Sequence, residues 1–201
     1  MAFNINEFNA SISKLGVQRA SHYAVNISAP PGLSTSGVLT DLPIRINSIN
    51  LPGTTLGMDD IKFSGFGLSE RRPNAVTYED ITMTIIADAN GRILDFLHEW
   101  MELVFPTSVE RNGSDSVEYF EYPNNYYGGL ELYVYDPSGN KHTTYTFKHP
   151  FISALGSVSM GWENTDSVMI IPVSFTYRSF EKNSSSEGAV VMMPNAQAPI
   201  F

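Results

Sequence analysis

The sequence predicts a mainly β protein, an antiparallel β-sandwich or half-barrel with one flanking amphipathic α-helix at about residues 90–105. Two observations carry this prediction. Apolar and polar residues alternate along most candidate elements, as they do in half-buried strands. Only one stretch has helical periodicity, and one helix among many strands is typical of a sheet covered by a helix. The 201 residues suffice for one core, so we expect a single domain spanning 1–201.

The strands of the first half are predicted from their alternation. Short strands are expected over His22–Ser28 and Ile44–Asn50. A longer strand is expected over Val76–Ala87, where Ile81 and Ile85 lie on one face.

Residues 51–75 are predicted to form a long extended loop. Its start, Leu51-Pro52-Gly53, and its further glycines favour irregular backbone. Its apolar side chains are nevertheless too many for a loop in water, because burying each one contributes roughly 1.5–3 kcal/mol. These side chains are Leu51, Leu56, Met58, Ile61, Phe63 and Phe66. We therefore expect this loop to be buried against a surface other than its own strands.

The helix is predicted between Ala89 and Phe105. Asp88 or Asn90 can cap its start, and Pro106 prevents its continuation. Its apolar residues recur at helical spacing, and they are Ile93, Leu97, Trp100, Met101 and Val104.

A hairpin and a last strand are predicted in the second half. Alternation over Leu130–Asp136 leads into the sequence Asp-Pro-Ser-Gly, which suits a type I turn, and Thr143–Phe147 returns as the partner strand. The hairpin therefore spans 130–147. The last strand, Val168–Phe180, contains Pro172, which indicates an edge position or a bulge.

Both ends of the chain are apolar. An N-terminal arm, 1–20, carries Phe3, Ile5 and Phe8, and a C-terminal tail, 183–201, ends in a mainly apolar stretch. Free termini are normally polar and mobile, and large apolar patches rarely stay exposed on a monomer. We therefore expect both ends to be peripheral and to contact other subunits, like the extended loop.

The composition indicates no catalytic chemistry. The chain has no cysteine, and its net charge of −9 disfavours binding to nucleic acid and to anionic membranes. The sequence from His98 to Glu102 resembles a zinc-protease helix, but Glu102 stands where the second histidine belongs. No apolar run approaches the roughly 18 residues of a membrane span, and the N-terminus does not resemble a signal peptide. We expect no catalytic residue, metal, cofactor or membrane anchor, and a cytoplasmic site of synthesis.

Four stretches of the sequence are informative as motifs because of the order in which they follow one another along the chain. They are INEFNASISKLGVQRASHYAVNIS (Ile5–Ser28), SINLPGTTL (Ser48–Leu56), RRPNAVTYEDITMTIIADANG (Arg71–Gly91) and ILDFLHEWMELVF (Ile93–Phe105). Together they resemble the tail tube proteins of contractile-tailed bacteriophages. The block from Ser48 to Phe105 carries most of the resemblance, because its motifs follow the order and spacing of that family. The tail beyond Asn183 matches no motif of the family.

The resemblance implies a structural virion protein that self-assembles into hexameric rings, which stack into the hollow inner tube of the tail. In that family the loop after the LPG strand reaches the adjacent ring. The resemblance therefore implies inter-ring stacking contacts for Leu51, Pro52, Gly53, Leu56, Ile61, Phe63 and Phe66. It implies as partners the surrounding tail sheath and the baseplate and tail-terminator proteins at the ends. It also implies that the protein is located in the virion tail, after assembly in the host cytoplasm.

The acidity of the chain adds a hypothesis about the lumen. In a narrow bore the wall lies about one Debye length from DNA, about 8 Å at physiological salt, so repulsion is not fully screened. DNA would then be only a repelled passenger in the lumen. We take Glu131 and Asp136 of the predicted hairpin as candidate lumen-facing acids.

Other functions stay open on the sequence alone. A baseplate tube-initiator protein, or the tube subunit of a phage-like injection device without DNA, would share the same motifs. A monomeric β-sandwich binding module, with its tyrosines stacking on sugars, is a more distant alternative.

Overall fold

The computed structural model describes residues 5, 9–10, 12–13, 16–33, 37–62, 68–105, 120–162 and 167–184. Strands dominate these ranges. They are β1 (Tyr23–Ser28), β2 (Ile46–Ile49), β3 (Thr54–Ile61), β4 (Glu70–Tyr78), β5 (Ile81–Ile86), β6 (Gly129–Tyr135), β7 (Lys141–Lys148), β8 (Phe151–Leu155), β9 (Ile170–Thr176) and β10 (Ser179–Ser184). The helices are α1 (Val38–Asp41), α2 (Arg92–Val104) and α3 (Pro123–Tyr126), and a 3-10 helix spans Leu42–Arg45.

The strands pair into two four-stranded sheets and one two-stranded sheet, all antiparallel. Sheet A has the order β1-β6-β7-β10, sheet B has the order β2-β5-β9-β8, and β3 pairs with β4. Both four-stranded sheets contribute to one hydrophobic cluster, for example Val25 and Leu132 from sheet A with Met83 and Val173 from sheet B. The predicted mainly antiparallel β class is therefore confirmed.

Helix α2 confirms the predicted amphipathic helix and packs onto this core. Its buried residues are Ile93, Phe96, Leu97 and Trp100. The Trp100 ring meets Phe175 of β9 edge to face at a centroid distance of 5.6 Å, and its Nε1 donates to the Tyr126 carbonyl at 3.0 Å. At the helix start the Asp88 carboxylate accepts a hydrogen bond from the Ile93 amide at 3.1 Å. Gly91 occupies the N-cap position, where the sequence predicted Asp88 or Asn90, so Asp88 reaches this first-turn amide from outside the cap. The bond is the main cause of the lowered pKa of Asp88.

The hairpin predicted over 130–147 is formed by β6 and β7. Its turn has the expected hydrogen bonds. The Gly139 amide donates to the Asp136 carbonyl at 3.0 Å. The Asp136 carboxylate accepts from the amides of Ser138 at 3.0 Å and Asn140 at 2.9 Å. Such bonds to nearby backbone are the reason that Asp is favoured in turns.

Pro172 lies in β9, which is inside sheet B between β5 and β8, so the predicted edge position is wrong. The register does shift, as for a bulge, between Ile152 and Ala154 of the neighbouring β8. The Pro172 carbonyl accepts from the Gly156 amide at 2.8 Å. The proline nitrogen, which lacks an N–H, faces the same side as this carbonyl. It lies just past the end of β8, so the lack of a donor there does not interrupt the pairing of β8 with β9.

Two predicted strands are each divided in the structure. The strand expected over Val76–Ala87 breaks between β4 and β5, and the strand expected over Val168–Phe180 breaks between β9 and β10.

Residues 51–75 differ most from the sequence prediction. Instead of an extended loop, they contain β3 and most of β4, paired as a two-stranded sheet. The alternation is interrupted at Gly57 and at a bulge, where Gly57 pairs with Ala75 but Met58 pairs with Pro73. The extra residue, Asn74, shifts the alternation of side chains in β4. The sequence pattern is therefore irregular although the segment forms a strand.

Candidate assembly surface

The β3–β4 hairpin, which we term the hairpin arm, prolongs sheet B. The Asn50 amide donates to the Thr82 carbonyl at 2.9 Å, and the Glu79 amide donates to the Gly53 carbonyl at 3.1 Å. These bonds connect the β2–β5 pair to the β3–β4 pair. The arm therefore leaves sheet B at the end where β2 finishes and β5 begins.

Leu51, Pro52 and Gly53 form the joint between sheet B and the arm, and none of them belongs to a strand. Pro52 supplies no amide to a ladder. The Gly53 amide donates to the Glu79 carboxylate at 3.2 Å, and a Cβ at Gly53 would lie 2.7 Å from a Glu79 carboxylate oxygen. The LPG motif thus marks a break in one long hairpin, and glycine lets the Glu79 side chain approach the backbone.

One face of the arm is apolar and exposed. Leu56 is opposite Val76, and Met58 is opposite Pro73. Residues directly opposite each other, and residues two apart on one strand, share a face of a hairpin. The exposed fractions of Leu56, Met58 and Val76 are 48%, 50% and 53%. We term this the apolar arm face.

The apolar arm face continues a face that is covered at the root of the arm. Tyr78 lies two residues from Val76, and its ring packs at centroid distances of 6.0 Å from Tyr177 and 5.5 Å from Phe180. Tyr177 belongs to the hydrophobic cluster, and Tyr78 and Phe180 pack against it. Beyond Tyr78, this face of the arm is still apolar, but Tyr177 and Phe180 do not cover it.

Two ion pairs of the arm lie in solvent. Arg71 Nε lies 3.2 Å from Asp60 Oδ1, and an Arg72 Nη atom lies 3.1 Å from a Glu70 carboxylate oxygen. Exposed ion pairs contribute about 0–1 kcal/mol, and an isolated two-stranded hairpin is only marginally stable in water. Covering the apolar arm face with another surface would therefore stabilise the arm.

Sheets A and B both have open edges within the described residues. β1 and β10 are the margins of sheet A, and β2 and β8 are the margins of sheet B. An open edge presents unpaired backbone donors and acceptors to strands of other chains. The described part of the chain thus has unpaired strand edges in both four-stranded sheets.

The structure separates the predicted stacking residues into two groups. Leu51, Pro52 and Gly53 are in the joint, whereas Leu56 and Ile61 lie on opposite faces of β3. Phe63 and Phe66 lie outside the described residues.

The sequence motifs assign neither Met58 nor Val76 to the stacking surface, although both complete the apolar arm face. Val76 starts an alternating run, which predicts a strand of the body. Its pairing with Leu56 depends on the register between two strands, which no local pattern specifies.

The predicted contact residues of the termini are mostly outside the described ranges. Ile5 is exposed. Phe3, Phe8, Pro106 and the tail from residue 185 onward lie outside the described residues.

The two candidate acids lie on the β6–β7 hairpin. Glu131 sits on β6 between the buried Leu130 and Leu132, so its side chain is on the opposite face of sheet A, away from the core. It accepts a hydrogen bond from the Tyr133 hydroxyl, which raises the pKa of Tyr133. The Asp136 carboxylate is engaged by the amides of the turn.

The described part of the chain contains no group of three or more His, Cys, Asp or Glu side chains placed to hold a metal ion. His98 and Glu102 are both exposed on α2. Among the described helices, none combines the length and apolar character needed to cross a bilayer.

Known proteins resemble this chain in sequence over most of its length. The sequence model of the family described as "Phage tail tube protein" matches residues 18–183. The tail tube protein of Serratia phage KSP90 is 24% identical over 164 residues, which cover 81% of this chain and 88% of that protein.

Solved structures share the fold. A chain in the PVC sheath–tube complex, from an extracellular contractile injection system in its extended state, matches with a TM-score of 0.58 at 11% identity. The match covers 87% of this chain and 97% of that chain. A chain in the baseplate of the anti-feeding prophage matches with a TM-score of 0.53 at 11% identity, covering 85% of this chain and 98% of that chain.

Proposed function

This chain belongs to the phage tail tube protein family, and we propose that it forms hexameric rings that stack into the hollow inner tube of a contractile tail. The hairpin arm is the observation that carries this proposal. It extends from sheet B with an apolar face that the described part of the subunit leaves half exposed. A monomer gains little from such a surface, whereas a stacked ring can cover it.

The open sheet edges support the ring. A strand edge of one subunit that joins the opposite edge of the same sheet in the next subunit continues that sheet around a circle. Closure after six subunits removes the exposed edges, which would otherwise be templates for aggregation. Head-to-tail contacts of this kind close within the ring and repeat along the axis.

The arm supports stacking between rings. Leu51, Pro52 and Gly53 would orient the arm, and Leu56 would bury its side chain on the next ring together with Met58 and Val76. Ile61, Phe63 and Phe66, the N-terminal arm 1–20 and the tail 183–201 are proposed as further contacts between subunits.

The partners follow from this role. The similar chains come from a sheath–tube complex and from a baseplate, and another match is to a tube-terminating cap. We propose that this tube is likewise surrounded by a sheath and bounded by baseplate and terminator proteins.

The relatives include tubes of phages and of injection systems, so the chain is a tail tube protein of one or the other. In a phage, DNA would pass through the lumen during ejection, and Glu131 and Asp136 are the proposed lumen-facing acids. A tube initiator at the baseplate is the second candidate role.

Shortening the arm tests the proposal. Replacing residues 57–75 by a short Gly-Ser turn keeps Thr54–Leu56 opposite Val76–Tyr78, so the root of the arm stays paired. The wild-type protein is expected to form rings with six times the subunit mass of 22.2 kDa, and to form tubes. The shortened protein should form the rings alone. Light scattering and negative-stain microscopy measure both properties.

Arg71→Gln is the matched control, because it removes an exposed ion pair of the arm and leaves the apolar arm face intact. It should form tubes like the wild type. A wild-type protein that stays a monomer at high concentration, with neither rings nor tubes, would contradict the proposed function.

A further inference from the structure

A second exposed apolar surface lies between β8 and β9. Its members, which we term the loop patch, are Met160, Trp162, Val168 and Ile170. Trp162 is completely exposed, at 102% of its reference area. Tryptophan buries more apolar area than other side chains and is enriched at the centres of protein interfaces. A solvated tryptophan in the same segment of the chain as three other exposed apolar side chains therefore indicates a surface that another molecule covers.

The loop patch and the hairpin arm lie at opposite ends of sheet B. Ile170 begins β9 and pairs with Ile86, the last residue of β5. The arm joins the sheet at the other end of β5, next to Ile81. A copy displaced along the strand direction therefore brings the arm of one subunit to the loop patch of the next.

The side chains that we assign to the two surfaces are uncharged. The described loop residues, 156–162 and 167–170, include no charged side chain, and neither does the apolar arm face. Glu163 and Asp166 of the same loop lie outside the described residues. The ion pair between Asp60 and Arg71 lies further along the arm, beyond Met58. Contact of Met160, Trp162, Val168 and Ile170 with the apolar arm face thus removes apolar area from water.

On the basis of the proposed tube function, we propose that the loop patch is the acceptor for the apolar arm face of a second copy of this chain in the adjacent ring. Trp162 is the anchor, and it packs against Leu56, Met58 and Val76 of the other copy. The eight residues of β3 extend for about 26 Å at about 3.3 Å per residue. This length suffices to reach past the end of the neighbouring sheet.

The second copy is favoured over a different protein by the placement of the two surfaces. Each subunit carries one arm at one end and one loop patch at the other, so a head-to-tail repeat covers both in every copy except those at the two tips. This is a heterologous interface, in which the two contacting surfaces differ. A sheath protein bound around the tube would leave the apolar arm face without a partner.

Complementation between two variants tests the proposal. Met58→Asp places a charge on the apolar arm face, and Trp162→Asp places one in the loop patch. Each variant alone should form rings but no tubes. A mixture of the two contains one intact arm surface and one intact loop surface, so it should form stacks of two rings and nothing longer. Tyr122→Asp is the matched control at another exposed aromatic residue, and it should form full tubes.

Cross-linking provides a second measurement. The chain has no cysteine, so introduced thiols are unambiguous. Val76→Cys and Met160→Cys copies, which both keep the Trp162 anchor, should give a disulfide between one copy of each when they are mixed under mild oxidation. Val76→Cys mixed with Tyr122→Cys should give at most a tenth of that yield.

The outcomes separate the two proposals. If the wild type forms no rings or tubes, the proposed function fails. If the wild type and Trp162→Asp both form full tubes, the function stands, and the inference that the loop patch is the acceptor is overturned. Should Trp162→Asp fail to fold, the cross-link between positions 76 and 160 decides, and its absence in assembled tubes overturns the inference.

Discussion

Tyr177 shows at the residue scale how the root of the arm is built. Its side chain is 7% exposed and packs edge to face against Phe147 at a centroid distance of 4.9 Å. Its hydroxyl has no hydrogen-bond partner among the described residues. Burial, followed by the charges of Asp80 and then other nearby groups, raises the pKa of Tyr177 to about 12. The phenol therefore contributes an aromatic ring to the cluster, and its oxygen brings no compensating bond.

Tyr177→Phe removes only that oxygen, so we expect the free energy of unfolding to stay unchanged or to rise by up to about 1 kcal/mol. The control is Tyr23→Phe, because the Tyr23 hydroxyl donates to the Asn47 carbonyl at 2.9 Å. Loss of that bond should lower stability by about 1 kcal/mol. Urea unfolding at neutral pH measures both variants.

The same substitution has a signature in alkali. An unfolded tyrosine ionises near pH 10, whereas folded Tyr177 holds its proton until about pH 12. Between these values the folded state binds more protons than the unfolded state, so the wild type loses stability as the pH rises. Tyr177→Phe should lose less over this range. Equal slopes for the two proteins would show that Tyr177 ionises normally in the folded state.

At the scale of elements, the β6–β7 hairpin depends on one turn. Asp136 accepts two amide bonds there through a single carboxylate oxygen. Asp136→Ala removes both bonds, and Asp136→Asn keeps an oxygen in the same position. We expect the alanine variant to be about 1 kcal/mol less stable, which lowers the melting temperature by about 2–4 °C for a protein of this size. The asparagine variant should melt like the wild type. If asparagine lowers the melting temperature as much as alanine, the charge of Asp136, and not its geometry, stabilises the turn.

The difference between elements specified by local sequence and elements that depend on strand register explains what the sequence could predict. The β6–β7 hairpin and α2 are specified locally: alternation and the turn at Asp136 determine the first, and helical spacing with the Asp88 hydrogen bond at its start determines the second. The hairpin arm is not specified locally. Gly57 interrupts one strand, Asn74 adds a residue to the other, and the pairing of Leu56 with Val76 spans twenty residues of sequence. The apolar excess at 51–66 predicts a partner surface, but only the register shows which of its residues share a face.

At the scale of the whole molecule, the acidic residues lead to a prediction about DNA. Tubes of the double variant Glu131→Gln, Asp136→Asn should retain several-fold more DNA in co-sedimentation at low salt than wild-type tubes, because the variant removes the two proposed lumen-facing charges and a less acidic lumen repels DNA less. Asparagine is expected to keep the turn of β6–β7, and so to preserve assembly. The control, Asp95→Asn with Glu99→Gln on the exposed side of α2, changes the net charge equally. Equal retention by both double variants would place Glu131 and Asp136 away from the lumen.

In the proposed tube, the opposite placement of the hairpin arm and the loop patch would give the filament a direction. One tip would present a circle of unoccupied arms, and the other would present a circle of unoccupied tryptophans. The two tips would therefore be chemically distinct, so that unrelated proteins could start growth at one and stop it at the other. A protein that ends growth would need only to imitate one half of the contact, and the same protein could not cap the wrong tip.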